Sequence, residues 1–333
     1  MHGSFPKSVS PLKRYRNLRE TVTGDDTLAI VITADPDSIA SALALRRIFW
    51  RRARQIQIVQ RNIVARSDNL ALLDTLRIRM KALDSLDRTE ISKWAIVDSQ
   101  PHHNPDLAGI SFDIIIDHHP PDTELSAAHI DIRDEYGAAS TIMTQYLRAA
   151  RIEPSGRLAT ALFLGIKNDT NDFARPASTG DLDAFRYLYD FANLNVVKKI
   201  ESSVMTTQTL EDLGVAIDNL SMYEDVAHVH MGEVKSPDTL VIIADFFLRL
   251  AEVSWSFASG VFGDHLVIIL RTVSFRRHAG KTADKLFGEW GSAGGRASAA
   301  RAEVPVSRVR DLHPRSKQPE KHFVSSRIRK EWS

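Results

Sequence analysis

At 333 residues the chain is longer than one ordinary hydrophobic core organises, so two domains are expected. With 43 Lys and Arg against 42 Asp and Glu, the formal charge of +1 supplies no global field for nucleic acid or membrane, and the absence of cysteine excludes disulfides, thiolate nucleophiles and cysteine-ligated metal sites. Residues 1–20 lack the apolar core of a signal peptide, and no later run approaches the roughly 20 residues of a membrane span, so a soluble cytoplasmic protein is expected.

In chain order, residues 1–24 read as an N-terminal arm with a short charged helix. Residues 28–32 form a buried strand, cut by Thr33-Ala34-Asp35-Pro36-Asp37 and followed by a helix over 38–54. Ile39, Leu43 and Phe49 share its buried face, while Arg46, Arg47, Arg51, Arg52 and Arg54 make the other side basic. Residues 56–59 are a second strand and 69–80 a helix with leucines at helical spacing. The strand at 94–97 ends on Asp98. The β-branched strand at 114–116 stops at Asp117-His118-His119, where Pro120 and Pro121 forbid regular continuation, and Ile130 belongs to a short fifth strand. Strands alternating with helices at this spacing imply an α/β fold with a doubly wound, mainly parallel sheet.

Helices are expected at 135–150 and 157–166, the second running into a carboxylate-bearing loop, Lys167-Asn168-Asp169-Thr170-Asn171-Asp172-Phe173. Thr179 is the expected N-cap of a helix over 181–191. The first domain is assigned to 25–195 and a linker to 196–214. A smaller α/β C-terminal domain with several strands follows over 215–306, built from 225–231, 239–244, 255–262 and 265–270. Residues 307–333 read as a basic tail, poorly ordered unless docked; its arginines and lysines, with Phe323 and Trp332, suit either a solubilising role or phosphate contacts and stacking with a single strand.

Asp35, Asp37, Asp98, His118 and Asp169 all fall at expected strand ends or in loops, the edge of an open α/β sheet where ligands bind. Each has a plain structural reading as turn, cap or strand terminator; their coincidence in one half of the chain favours a site. Carboxylates at that density stay ionised together only with cations between them, and an oxygen-rich Asp/His set suits Mn²⁺ or Mg²⁺. Two metals roughly 3.5–4 Å apart would clamp a phosphoryl group, with Asp98 as the bridge.

Asp35-Pro36-Asp37-Ser38-Ile39-Ala40-Ser41, Asp98, Asp117-His118-His119-Pro120, Gly137-Ala138-Ala139-Ser140 and Gly165-Ile166-Lys167-Asn168-Asp169-Thr170 resemble, in order and spacing, the motifs of the DHH phosphoesterases. Gly291-Ser292-Ala293-Gly294-Gly295-Arg296, with 299–305, resembles the glycine-rich motif of the DHH-associated C-terminal domain. The resemblance implies that Asp35 and Asp98 hold one metal, and Asp37, Asp98, His118 and Asp169 the other, for one or two Mn²⁺ or Mg²⁺ ions. His119 would contact the phosphate or transfer a proton, and Asp117 would orient the histidine pair. Gly294, Gly295 and Arg296, joined by Ser274, Arg276 and Arg277, would bind substrate, with the active site in the cleft between the domains. Two positions depart from the family: Val31 stands where members usually carry a histidine, and Arg296 replaces another histidine.

The expected function is hydrolysis of phosphoester bonds in a short single-stranded oligonucleotide or a small nucleotide such as 3′-phosphoadenosine 5′-phosphate, with no membrane partner and compatible with a homodimer. Two alternatives stay open: a catalytically weakened nucleotide or nucleic-acid-binding protein of the same fold, and a pyrophosphate or polyphosphate hydrolase.

Overall fold

The computed structural model describes residues 9–62, 64, 66–121, 123–274, 277–312, 314 and 316–332. The chain divides into two compact units, the first ending at Val204 and the second beginning at Met205. The first unit runs α1 (Pro11–Glu20), β1 (Thr27–Ile32), α2 (Pro36–Ile48), β2 (Gln55–Gln60), α3 (Ser67–Thr75), β3 (Lys81–Ala82), β4 (Lys93–Val97), β5 (Ile114–Asp117), β6 (His129–Ile132), α4 (Ala139–Ala149), α5 (Gly156–Asp169), α6 (Thr179–Tyr189) and α7 (Leu194–Glu201). Its six strands are parallel in the order β3-β2-β1-β4-β5-β6. Strand order therefore reverses between β1 and β4, the kind of switch point beyond whose carboxyl ends open α/β sheets bind ligands.

All six residues of β1 are buried because both faces of the sheet are covered. Leu28, Ile30 and Ile32 pack with Ile39, Leu43 and Leu162, while Ala29 and Val31 join Val59, Ile96 and Ile115 on the other side. Asp35 caps α2: its carboxylate accepts from Ser38 N at 2.9 Å, and its own N–H donates to Ser38 Oγ at 3.1 Å. The helix ends at Ile48, short of the expected residue 54, because Arg51 takes a positive φ of 63° and turns the chain toward β2. Likewise α3 stops at Thr75, with Arg77 at φ 49°. The cap of α6 is Ser178 rather than Thr179, since the Ser178 hydroxyl accepts from Asp181 N and the Asp181 carboxylate takes Ser178 N–H at 2.7 Å.

The second unit runs α8 (Thr207–Asp218), β7 (Ser221–Tyr223), β8 (Val226–Glu233), α9 (Pro237–Phe247), β9 (Trp255–Phe262), β10 (His265–Thr272), α10 (Ala279–Phe287), β11 (Ser292–Gly295), β12 (Ala299–Pro305), α11 (Val306–Leu312) and α12 (Pro319–Glu331). Its sheet is ordered β11-β12-β10-β9-β8-β7 and is antiparallel apart from the β8–β9 pair. Residues 196–214, expected as a linker, are largely helical in α7 and α8.

Over its described residues the basic tail is docked. Phe323, Val324 and Ile328 of α12 are fully buried in one cluster with Trp255 and Phe257. Trp332 packs edge-on to Trp255 at 5.4 Å between ring centroids, and the Arg327 guanidinium lies 3.6 Å over Phe323. These two aromatics are therefore engaged within the second unit, Phe323 fully buried and Trp332 partly so.

The second sheet also buries the His228 imidazole and half-buries that of His230. His228 Nε2 and His230 Nδ1 lie 3.3 and 3.0 Å from the Ser259 hydroxyl. Burial depresses His228 to about 3 and His230 to about 4; Lys321 also disfavours their charged forms, while Glu320 opposes the shift at His230. Because these folded values lie below the ordinary 6.5, their contribution is complete above that pH and is lost as pH falls toward 3–4. Between about pH 7 and about pH 5, each fully shifted histidine costs about 2 kcal/mol. Thermal unfolding at these two pH values is expected to show a smaller acid loss for His228→Leu than for the wild type; equal losses would refute this account.

Candidate functional site

The carboxyl end of the first sheet gathers the acidic motifs. Asp98 follows β4 at a positive φ of 58°, a left-handed conformation that costs a non-glycine residue energy, and its N–H still pairs with Ile116 O at 2.9 Å. His118 follows β5, and its Nδ1 donates to the Tyr136 carbonyl at 3.1 Å. That bond fixes Nδ1 as the protonated nitrogen of a neutral ring and turns the Nε2 lone pair inward. Nε2 then lies 3.3 Å from Asp98 Oδ1 and 3.0 Å from Asp169 Oδ2. Ligand atoms of Asp37, Asp98, His118 and Asp169 all fall within 4.8 Å of one another.

A neutral imidazole lone pair facing two carboxylates is repulsive unless positive charge lies between them. Burial opposes a proton on His118, but Asp169 and Asp98 outweigh it and push its pKa up to about 12. Burial, then the Asp169 charge, raises Asp37 to about 7; burial, then Asp37 and Asp35, holds Asp98 well above the usual carboxylate range. Asp98 Oδ1 and His118 Nε2 are both buried without a well-directed hydrogen bond. Hard oxygens with one imidazole around uncompensated negative charge fit a divalent cation such as Mn²⁺ or Mg²⁺.

Asp37 sits in the first turn of α2, and its two oxygens accept from Ala139 N and Ser140 N at 2.7 and 2.8 Å, so the Gly-Ala-Ala-Ser helix start anchors it. Asp169 is the last residue of α5 rather than a loop residue. Asp35 stands outside the four-residue group, although the pKa of its half-buried carboxyl is raised by desolvation and then by Asp169. Val31 points into the apolar cluster with Ile96 and Ile115, so no ligand replaces the family's usual histidine at that position. Asp117 Oδ1 accepts from His119 Nδ1 at 2.9 Å and from His118 N at 2.8 Å.

Four participants escaped the sequence reading: Gln100, whose amide reaches Asp117 and His119; the Tyr136 carbonyl; Gln145, which binds the Tyr136 hydroxyl; and Asp181, whose carboxylate binds Gly137 N at 3.0 Å and the Thr141 hydroxyl at 2.5 Å. Backbone partners leave no residue-type signal, and Asp181 resembles an ordinary acidic residue in a first helical turn.

The expected substrate residues lie in the second unit, apart from Arg276, which falls outside the described residues. Ser274 N donates to the Thr272 hydroxyl, and Arg277 lies 4.8 Å over Trp332. Gly295, at φ 151°, has no room for a Cβ beside Ala300, and Gly280 abuts the Gly295 backbone. The amides of Ala279 and Gly280 donate to Ala297 O and Arg296 O, so the glycine-rich hairpin is itself packed against the start of α10. Within that hairpin, Gly294 has open space at its Cβ position.

Gly165 joins two of the motifs, because a Cβ there would strike Ser140 Oγ and lie only 3.0 Å from Asp37 Oδ1. Gly165→Ala is expected to cost about 1–3 kcal/mol through overpacking and to weaken Mn²⁺ binding by displacing Asp37. Denaturant unfolding and metal titration check this, and an unchanged metal affinity would detach Asp37 from the cluster.

Residues 27–166 match the DHH family, N-terminal domain. An uncharacterized protein of Methanocaldococcus jannaschii is 33% identical over 298 residues, covering 88% of this chain and 61% of that protein. The chain thus spans about three fifths of that relative's length, 61%. An exopolyphosphatase-related protein from Bacteroides fragilis superposes with a TM-score of 0.74 at 14% identity, covering 98% of each chain. Exonuclease RecJ bound to manganese superposes with a TM-score of 0.53 at 13% identity, covering 95% of this chain and 94% of that one. Among the described residues no helix is long and apolar enough to cross a membrane. Residues 27–166 thus correspond to the N-terminal domain of the DHH family, and the two-unit chain shares its fold with these two solved structures.

Proposed function

We propose that the protein is a divalent-metal-dependent phosphoesterase acting on short oligonucleotides or small nucleotides. The observation that carries this is the inward His118 Nε2 among the carboxylates of Asp37, Asp98 and Asp169. These four residues would hold the ion, with Asp35 beside them. Mn²⁺ is the first choice, since RecJ carries manganese on a similar fold, and Mg²⁺ the second. A bound ion would act as a Lewis acid toward the phosphoryl group and would generate the nucleophile at neutral pH.

The chain's own residues do the rest. Asp117 stays ionised: burial opposes this, but bonds from His119 and Gln100 lower its pKa. It therefore accepts a hydrogen bond from His119 Nδ1–H and directs Nε2 of that ring toward a phosphate oxygen or a leaving-group proton. In the second unit, Arg296 and Arg277, with Ser274, Arg276, Gly294 and Gly295, are assigned to the remaining anionic part of the substrate. Arginine at 296 binds phosphate by its fork but exchanges no proton at neutral pH.

The burial of Val31 among apolar residues favours a second reading, a nucleotide-binding protein with little turnover. The test is purified protein with Mn²⁺ and a panel of di- to pentaribonucleotides, 3′-phosphoadenosine 5′-phosphate, cyclic dinucleotides and pyrophosphate. Turnover of a nucleotide supports the first reading. Tight binding of one without turnover of any supports the second, and preference for pyrophosphate overturns both.

A further inference from the structure

Gln100 follows β4 two residues after Asp98, and its side chain is fully buried. Its Nε2 donates to Asp117 Oδ2 at 2.8 Å and to the His119 carbonyl at 2.9 Å. Both partners are acceptors only, so the orientation of the amide is forced. The opposite end of the amide, Oε1, is buried without a hydrogen bond, a cost that a purely structural residue would avoid by being apolar. The backbone of Gln100 is fixed as well, because its N–H donates to His103 Nδ1 at 3.3 Å.

The contacts form one connected set. Asp117 Oδ1 already accepts from His119 Nδ1 and from His118 N; Gln100 takes the other oxygen and simultaneously grips the main chain of His119. Without that grip the carboxylate can rotate about its last torsion, and the His119 ring loses the reference that aims its Nε2. The ring is half-buried, 28% exposed, so packing alone does not hold it.

We infer that Gln100 is a positioning residue for phosphoester hydrolysis, locking the Asp117–His119 pair so that His119 presents Nε2 to the substrate. This rests on the hydrolytic reading of the site given above. His103 acts one step further out, by holding Gln100. Neither side chain touches substrate or metal in this account.

The test uses Gln100→Met, which keeps the volume, removes both donors and removes the buried orphan oxygen, and Gln100→Glu, which turns both attractive contacts into repulsions. The full chain with Mn²⁺ and the best nucleotide substrate is expected to lose about 10–100-fold in kcat in the Met variant, with KM within about twofold, and more in the Glu variant. In parallel, the downfield proton resonance of His119 Nδ1–H is read by NMR, assigned through its loss in His119→Gln. It is expected to broaden or disappear in Gln100→Met while the melting temperature stays near that of the wild type. Wild-type kcat in the Met variant overturns the inference. So does an intact His119 resonance, which decides the matter even if the wild type hydrolyses nothing and the functional reading fails on its own.

Discussion

Replacing Asp98 with asparagine is expected to cut phosphoester hydrolysis at least about 10³-fold, because a metal ligand in such a site accounts for several kcal/mol of transition-state charge stabilisation. The same substitution is expected to raise the melting temperature of the metal-free protein. Asp98 is buried, with 5% of its side chain exposed, and its carboxyl is raised well above the usual range by burial and then by Asp37 and Asp35. In the absence of a cation its charge opposes folding. Asparagine tolerates the left-handed backbone at φ 58° and keeps the Ile116 hydrogen bond, so the change isolates the charge. Adding Mn²⁺ reverses the order: the wild type gains stability by mass action and the variant gains little. Melting curves with and without Mn²⁺, beside turnover measurements, decide the point. A variant that keeps the full metal-induced shift would remove Asp98 from the centre of the site.

Those two expected effects have opposite signs, and the residues concerned are the ones that stand out in the sequence. Residues that harm the metal-free fold appear as anomalies in an otherwise regular pattern: apolar strands stopping at Asp98 and Asp117, and two imidazoles before two prolines. Strands buried on both faces gave continuous β-branched runs, so the parallel sheet was equally readable. What stayed hidden depends on contacts between distant segments. Asp35 and Asp37 look alike in the chain, yet one caps its own helix and the other anchors the start of α4, 102 residues away. Asp169 looked like a loop residue because its polar neighbours, Lys167-Asn168, lie on the exposed side of the last turn of α5. In α12 the apolar positions 323, 324 and 328 are flanked by Lys321, Arg327, Arg329 and Lys330, so charge masked a stripe that the sheet requires. Gly294 and Gly295 were read as substrate-binding glycines; the contacts also show Gly280 making room for the Gly295 backbone and Gly295 making room for Ala299 and Ala300.

A larger loss of stability is expected from a residue that no motif contains. Asp131 of β6 is 2% exposed and receives Arg14 Nη1 at 3.3 Å, Arg133 Nε and Nη2 at 3.0 and 2.8 Å, and the Tyr146 hydroxyl at 2.7 Å. Burial alone would raise its pKa, but Arg133, Tyr146 and Arg14 outweigh burial and lower it. Asp131→Leu leaves two guanidinium groups buried beside apolar surface and is expected to cost about 3–5 kcal/mol. Replacing the ionic set together, Arg14→Met, Asp131→Leu and Arg133→Met, is expected to recover most of that loss, because no uncompensated charge remains. Metal affinity should not recover with it. Arg133 Nη1 binds Gln145 Oε1 at 2.6 Å, Gln145 binds the Tyr136 hydroxyl at 2.8 Å, and the Tyr136 carbonyl orients His118. Removing Arg133 frees that chain of contacts even in a well-packed protein. Urea unfolding of the single and triple variants, set against Mn²⁺ titrations of both, separates the two roles. A triple variant that binds Mn²⁺ as tightly as the wild type would confine the network to stability, and a loss below about 1 kcal/mol in Asp131→Leu would contradict the buried-charge argument itself.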